Sequence, residues 1–297
     1  MSDLAESYAV CQRAAQRAAS NFYFSFMLLP LEKRRGMWAL YAFLRHVDDL
    51  ADDPCRDVHG RRAALGELRE RLDRALAGST DDPTLHALAD TVKRFQIPTE
   101  YLTAAIDGVE MDLSGVRFET YDELEVYCYR VASVVGLACI HIWGFRGDAA
   151  VEPARKCGLA FQLTNILRDV REDAEHGRVY LPCADLKQFN YTPEDLLHGE
   201  IDERFHRLMH FEIDRAEQLY AAAAPLDGYL DRDGRRVFRA MNDTYRALLA
   251  KIKRRPTDVF RHRIRLNRWE KLRIGATAFF AGRQEMRLHN GRESASR

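Results

Sequence analysis

The sequence predicts a single all-α domain, and three observations support this fold class. Apolar residues such as Leu65, Leu68 and Leu72 recur at three- and four-residue spacing with charges between them, which is the period of an amphipathic helix. No run of β-strands is evident, and no repeat, low-complexity linker or change of composition divides the 297 residues. We therefore expect one domain over residues 1–288, with ample core for its length, and a polar tail over residues 289–297.

Prolines mark the ends of the predicted helices, because proline lacks the backbone N–H that continues a helix and so stands at helix starts or breaks. These prolines are Pro30, Pro54, Pro83, Pro98, Pro182, Pro193, Pro225 and Pro256. In chain order, we predict helices at residues 3–19, 31–52, 58–77, 84–95, 99–114, 121–145, 151–175, 202–222, 231–253 and 258–284.

The composition excludes several classes of protein. Lys+Arg and Asp+Glu are both 45, so the formal net charge is +0 and no general attraction to nucleic acid is expected. The six cysteines form no CxxC pair, which favours reduced thiols in a cytoplasmic protein. Residues 1–6 are acidic and lack the basic start of a secretory signal. The apolar stretch at 131–145 is short and contains His141, so we expect no spanning helix.

The first of two acidic clusters lies at residues 45–53, with the sequence RHVDDLADD. Asp48 and Asp52 are four residues apart and share one helix face, where like charges repel unless a cation lies between them. Carboxylate oxygens are suitable ligands for Mg²⁺. The cluster alone has a simpler explanation as the solvated end of a helix before Pro54, although acid at a helix C-terminus opposes the helix dipole.

The second cluster forms a polar stripe on an otherwise apolar helix. Gln162, Asn165, Asp169 and Asp173 are spaced by three, four and four residues, so they line one side of a helix whose other sides are apolar. Buried polar groups need partners, metal or water. A buried salt-bridge network is the alternative, but several like charges without cations are costly to bury. Two such clusters facing across a cavity would hold a diphosphate, which indicates an enzyme that ionises a diphosphate ester.

Several blocks of sequence around these clusters stand in a recognisable order. They are SNFY at 20–23, YAFLRHVDDLAD at 41–52, YCYRVASVVG at 127–136, QLTNILRDVRED at 162–173 and GRVYLP at 177–182. Together they resemble the squalene and phytoene synthases, except that Ser133 stands where we expect glycine; a small residue should still permit close helix packing. The resemblance implies the isoprenoid synthase fold with a central apolar cavity, and head-to-head (1'-1) joining of two prenyl diphosphates.

The resemblance also implies roles for individual residues. Those expected to hold Mg²⁺, with Mn²⁺ as a substitute, are Asp48, Asp52, Asn165, Asp169 and Asp173. Those expected at the diphosphates are Arg45, Gln162, Asn165, Arg168 and Arg178. Tyr127 is expected near the reacting carbons, although it could instead complete a buried hydrogen bond, and Tyr245 is expected in the pocket wall.

The chemistry adds further expectations. An allylic carbocation must meet an alkene rather than water, which requires an apolar pocket. Aromatic rings stabilise cations, so we expect Phe22 and Tyr41 to touch the substrate; plain core packing is the alternative for both. The acidic stretch 107–112 is interpreted mainly as solvated acid or as acid that supports the site residues from behind. A basic run from 254 to 273 either contacts anionic lipid as a peripheral membrane surface or is a solvated helix face, and Arg265 is its best candidate for a phosphate contact.

The sequence leaves open which of two related products the enzyme forms. The opening Asn-Phe-Tyr and the chain length favour presqualene diphosphate synthesis from two C15 (farnesyl) diphosphates, as in hopanoid pathways; phytoene synthesis from two C20 (geranylgeranyl) diphosphates, as in carotenoid pathways, is the alternative. NADPH use and oligomeric state are left open. Two other classes compete, a terpene cyclase and a non-catalytic assembly protein on the same fold. The pair Asp169/Asp173 and the intact carboxylates disfavour both.

Overall fold

Helices build almost the whole of the structure. It is a computed structural model that describes residues 3–17, 25–115, 117–267, 269–270 and 273–274. In chain order the α-helices are α1 (Leu4–Arg17), α2 (Leu31–Ala51), α3 (Val58–Leu76), α4 (Pro83–Phe95), α5 (Thr99–Asp112), α6 (Tyr121–Cys128), α7 (Val134–Trp143), α8 (Val151–Glu175), α9 (Cys183–Gln188), α10 (Pro193–His198), α11 (Glu203–Ala223), α12 (Leu226–Tyr229) and α13 (Arg232–Arg254). Within the described residues, β pairing is limited to two isolated bridges.

Side-chain caps explain several helix starts. Asp82 accepts hydrogen bonds from the backbone N–H groups of Thr84 and Leu85 at 2.7 and 3.2 Å, directly before Pro83. Asp57 accepts from the backbone of Gly60 at 2.7 Å at the start of α3. Such caps satisfy donors that have no partner inside the helix. The predicted helices therefore begin close to their predicted positions, whereas the short helices α9, α10 and α12 were not predicted.

The helix predicted at 258–284 does not form at its start. Residues Pro256–Phe260 make a 3₁₀ turn, and residues 263–267 have no helical structure. Ile264 and Leu266 are buried while Arg263 and Arg265 are exposed. This alternation has the two-residue period of an extended chain, which the helical prediction overlooked. Residues 275–284, like the predicted tail, lie outside the described residues.

The helix predicted at 121–145 is continuous but changes its winding. Tyr129–Ser133 form a π-helical turn between α6 and α7. There α8 comes so close that a Cβ on Gly158 would lie 2.4 Å from the Cα of Ser133. The Ser133 hydroxyl donates to the carbonyl of Arg155 at 2.8 Å. A small residue at 133 thus permits the close packing that the sequence predicted.

By length and composition alone, this same helix contradicts the expectation that no segment is able to span a membrane. Tyr121–Trp143 is long and apolar enough to cross a membrane by length and composition, the one such helix among the described residues, and 56% of its 18-residue apolar stretch is buried inside the protein. Core helices of soluble proteins pass the same test, and this one packs against α5 and α8.

Two hydrophobic clusters form the core, and a cavity lies where they meet. The first joins α1–α5, α7 and the start of α13. The second joins α6, most of α8, α9–α11, the end of α13 and residues 259–266. Side chains of both clusters line the cavity. The prediction of an all-α, single-domain fold with a central apolar cavity is confirmed.

Candidate active site

The cavity has a volume of about 440 Å³, and its walls are mainly apolar. Helices α2, α5, α7, α8 and α13 each contribute to it, together with the π-helical turn. Within the described part of the chain, its charged and amide lining consists of Arg45, Asp48, Asp112, Gln162 and Asn165. An apolar chamber with a few polar groups is the usual form of a small-molecule site.

The first acidic cluster reaches the cavity through the last turn of α2. Asp48 is open to the cavity, yet the surrounding protein withholds much of the water from its carboxyl and raises its pKa to about 6. Arg45 opposes this shift, and the charge of Asp52 adds to it. Arg45 also lines the cavity and forms an ion pair of 2.6 Å with Asp49. Carboxylates left with raised pKa values are groups that a cation would stabilise.

The second acidic cluster occupies one side of α8, as its spacing predicted. Burial raises the pKa of Asp173 to about 7; the charge of Asp169 raises it further, and that of Arg178 lowers it. Asp169 accepts hydrogen bonds from Arg168 at 2.8 and 2.5 Å and from Arg263 at 2.9 Å. Arg168, predicted to contact phosphate, is therefore engaged with Asp169 in this structure.

Asn165 provides an oxygen suited to a metal. Its amide nitrogen donates to Gln162 at 3.3 Å. Its buried Oδ1 has no hydrogen-bond partner among the described residues. An unsatisfied buried carbonyl is costly, and amide oxygen is a ligand type that Mg²⁺ accepts.

The carboxylates are spread rather than gathered. In the part of the chain that the structure describes, no three His, Cys, Asp or Glu side chains come close enough to hold a metal by themselves. Mg²⁺ usually retains water and binds one or two carboxylates together with substrate phosphates. A metal held here would need ligands beyond these side chains, and the donor set of carboxylate and amide oxygens fits Mg²⁺.

Asp112, in the acidic stretch 107–112, lines the cavity and supports two tyrosines. Its carboxylate accepts hydrogen bonds from Tyr127 at 3.0 Å and from Tyr180 at 2.9 Å, and burial raises its pKa. Of the two interpretations of 107–112, the supporting acid agrees with the contacts of Asp112, whereas Asp107 pairs at the surface with Arg69. A usable signal was present, because Asp112 continues a helix face marked by the small and apolar residues at 105 and 109, which also line the cavity.

Arg178 acts electrostatically on carboxyls of both acidic clusters. Against the effect of burial, the charges of Asp112 and Asp52 raise the pKa of Arg178, and the charge of Arg178 lowers the pKa of Asp173. The backbone N–H of Arg178 donates to the carbonyl of Asp173 at 2.8 Å, which fixes it beyond the end of α8. The clamp hypothesis predicts that both acidic clusters serve one cavity; Asp48 of the first cluster and Gln162 and Asn165 of the second line it.

The remaining predicted residues differ in whether they line the cavity. Tyr41 lines the cavity and packs edge-on against Phe26 at 6.2 Å. Tyr245 also lines it and stacks on Phe161 at 4.2 Å. Phe22 lies outside the described residues. Arg265 is exposed and does not line the cavity; the neighbouring residue that reaches the acidic helix is Arg263.

Comparison with known proteins gives a consistent result. The family model described as squalene/phytoene synthase matches residues 15–270. A phytoene synthase from Arthrospira platensis is 39% identical over 280 residues, which cover 90% of each chain.

Solved structures share the fold. A dehydrosqualene synthase in complex with ligand superposes with a TM-score of 0.86 and 28% identity, covering 95% of this chain and 98% of that one. The squalene synthase HpnC from Alicyclobacillus acidocaldarius superposes with a TM-score of 0.80 and 30% identity, covering 84% and 94%. The predicted isoprenoid synthase fold is thereby confirmed.

Proposed function

This chain belongs to the squalene/phytoene synthase family of prenyltransferases, and from that premise we propose that it joins two geranylgeranyl diphosphates head to head to form phytoene. The observation that supports the reaction class is the cavity itself, where Asp48 from α2 and Asn165 from α8 line one apolar chamber. The C20 substrate is supported by the 39% identity to a phytoene synthase over 90% of both chains. The presqualene reaction that the sequence favoured is supported less, because the dehydrosqualene and squalene synthases are 28% and 30% identical.

The polar end of the cavity suits the ionisation step. Mg²⁺, when bound, would neutralise diphosphate oxygens and stabilise the negative charge that develops as the allylic C–O bond breaks. Asp48, Asp52, Asn165, Asp169 and Asp173 are the residues proposed to hold it. The raised pKa values of Asp48 and Asp173 indicate that the positive charge around these two carboxylates does not offset their burial.

Arginines are proposed to bind the diphosphate directly. Arg45 lines the cavity one turn before Asp48, and Arg178 interacts electrostatically with Asp52 and Asp112. The planar guanidinium binds phosphate oxygens in a bidentate manner that lysine cannot match. Gln162 is proposed to orient Asn165 through the hydrogen bond between them.

The apolar part of the cavity is proposed to protect the carbocation. Walls such as Leu40, Val135 and Phe161 exclude water, so the cation reacts with the second alkene. Tyr41 and Tyr245 present aromatic rings to the same space, where ring faces can stabilise positive charge. Tyr127 supplies the hydroxyl closest to the reacting carbons in this proposal.

A product assay tests the proposal. Purified protein is incubated with Mg²⁺ and either C15 or C20 diphosphate, with and without NADPH, and the products are identified by mass spectrometry. We expect a C40 hydrocarbon from the C20 substrate without NADPH. Asp48→Ala and Asp169→Ala should abolish turnover while the helical circular dichroism stays unchanged.

Other products would select other functions. Coupling of C15 units alone would establish the second candidate, which the TM-score of 0.86 with a dehydrosqualene synthase favours. A cyclic hydrocarbon from a single substrate would move the enzyme to the terpene cyclases. Wild-type turnover in Asp48→Ala or Asp169→Ala would reject the metal assignment.

A further inference from the structure

An extended segment follows the last 3₁₀ turn, and we call residues 261–267 the C-terminal strap. Ile264 and Leu266 are 5% and 6% exposed and pack into the second hydrophobic cluster. Arg261, Arg263 and Arg265 are exposed. Because successive side chains of an extended chain point to opposite sides, the buried pair fixes the strap while its arginines face outward.

The strap and the end of α13 form one surface. The Nζ atom of Lys251 on α13 donates to the carbonyl of Arg265 at 3.1 Å and to Glu270 at 2.7 Å. Arg254 and Arg255, in the last turn of α13 and directly after it, are exposed as well. Lys251 therefore ties the end of α13 to the strap and to the residue Glu270 that follows it.

This surface carries unbalanced positive charge. The side chains of Arg254, Arg255, Arg261 and Arg265 have no ion-pair partner among the residues that the structure describes. The chain as a whole has a formal net charge of +0. Most of its other arginines, such as Arg155 and Arg204, are paired with acids, so the concentration of unpaired arginines here is a local property.

A tryptophan stands beside these arginines. Trp269 is 80% exposed, more than any other large apolar side chain in the described residues. An indole has an apolar body and a polar N–H, a combination that favours the boundary between lipid tails and headgroups. Arginine next to such a ring can reach lipid phosphates while its methylenes cover apolar surface.

We propose that this basic surface, formed by Arg254, Arg255, Arg261, Arg265 and Trp269, docks the protein on an anionic lipid bilayer. The charges are complementary to acidic headgroups, and the tryptophan supplies the interfacial anchor. The strap also carries Arg263, whose Nη2 lies 2.9 Å from Asp169, so the docked surface borders the candidate active site. The proposal goes beyond the proposed function and does not depend on it, since docking needs no turnover.

Vesicle flotation of the full chain tests docking. The vesicles are phosphatidylcholine alone or phosphatidylcholine with phosphatidylglycerol. We expect binding to the anionic vesicles only, reversed by 0.5 M salt. Each neutralised arginine should weaken partitioning about fivefold, so Arg255→Gln/Arg261→Gln should lose most binding, and Trp269→Ala should weaken it as well.

Matched variants separate a specific surface from a general charge effect. Arg13→Gln/Arg17→Gln removes the same charge from exposed positions on α1, and Val126→Ala trims an apolar side chain that is half exposed on α6. Both controls should bind anionic vesicles like the wild type. Equal binding to neutral vesicles, or wild-type binding by Arg255→Gln/Arg261→Gln or by Trp269→Ala, would overturn the proposal. Thermal unfolding of each variant checks that the fold is retained.

Discussion

The hydroxyl of Tyr127 donates a hydrogen bond of 3.0 Å to Oδ2 of Asp112. The other carboxylate oxygen accepts from Tyr180 at 2.9 Å, and the two tyrosine rings stack at 5.3 Å. One carboxylate on α5 thus orients two phenols that come from separate parts of the chain. Because burial raises the pKa of both phenols, they remain hydrogen-bond donors at neutral pH. Asp112 therefore positions Tyr127 at the edge of the cavity.

Asp112→Asn should reduce turnover by about 10–100-fold, the usual cost of removing a partner that orients site residues. The amide keeps the size of the side chain but removes the charge that both hydroxyls and Arg178 face. Steady-state kinetics with the C20 substrate measure the effect. Asp107→Asn, on the same helix but paired with Arg69 at the surface, is the control and should change turnover less than twofold. Unchanged kinetics in Asp112→Asn would show that the tyrosines need no such support.

Arg263→Gln should lower kcat/KM about tenfold, which corresponds to about 1.4 kcal/mol of lost transition-state stabilisation. Arg263 contacts Asp169 at 2.9 Å and Glu172 at 3.7 Å, so its loss leaves the acidic face of α8 without this cation. Arg265→Gln, two residues along the same strap but exposed, should change kcat/KM less than twofold. The reverse order of effects would restore Arg265 as the phosphate contact that the sequence favoured.

The sequence predicted most of the site because its spacing is helical. Residues three and four apart share a helix face wherever the helix packs, so the stripe from Gln162 to Asp173 could be read from the chain alone. The same is true of Asp48 and Asp52 on α2. Local periodicity therefore identified the two helix faces on which the clamp hypothesis rests.

The features that the sequence left open or missed depend on tertiary contacts. The helix face that Asp112 shares with residues 105 and 109 could be read from the chain, but its contacts with Tyr127 and Tyr180 join distant parts of the chain and leave no local pattern. The strap lay inside the helix predicted at 258–284, and its arginines are compatible with a helix, whereas the alternating burial of Ile264 and Leu266 belongs to an extended chain. Packing decided both cases against local preference.

Gly158→Ala should destabilise the protein by about 1–3 kcal/mol, the usual range for overpacking. The added Cβ would lie 2.4 Å from the Cα and 2.7 Å from the N of Ser133, and these backbone atoms cannot rotate away. Gly66→Ala on α3 is the control: its Cβ would meet nothing within 4 Å, so it should raise stability by up to about 1 kcal/mol. Urea denaturation measures both. Equal stability of the two variants would mean that α8 can move away from the π-helical turn at little cost.

A buried acid on α11 gives the stability a dependence on pH. Glu212 is 0% exposed, and its Oε2 accepts from Arg215 Nη1 at 2.7 Å, the atom that also donates to Asp185 at 2.7 Å. Its Oε1 has no hydrogen-bond partner among the described residues. Two carboxylates thus share one guanidinium, which also lies over the ring of Tyr121 at 4.2 Å. Burial raises the pKa of Glu212 to about 8; the Arg215 charge opposes the shift and the Asp185 charge adds to it.

The sign of the effect follows from this raised pKa. The folded protein keeps the Glu212 proton up to about pH 8, whereas the unfolded chain releases it near the ordinary value of 4.5. The stability associated with this proton is full below pH 4.5 and is lost as the pH rises towards 8, with an upper slope of about 1.4 kcal/mol per pH unit. Glu212→Gln cannot release a proton, so its free energy of unfolding should fall less than that of the wild type between pH 5 and 8. Glu217→Gln, on the same helix but exposed and paired with Lys253, should follow the wild type. Parallel curves for wild type and Glu212→Gln would show that Glu212 is ionised in the folded protein and that Arg215 alone balances both acids.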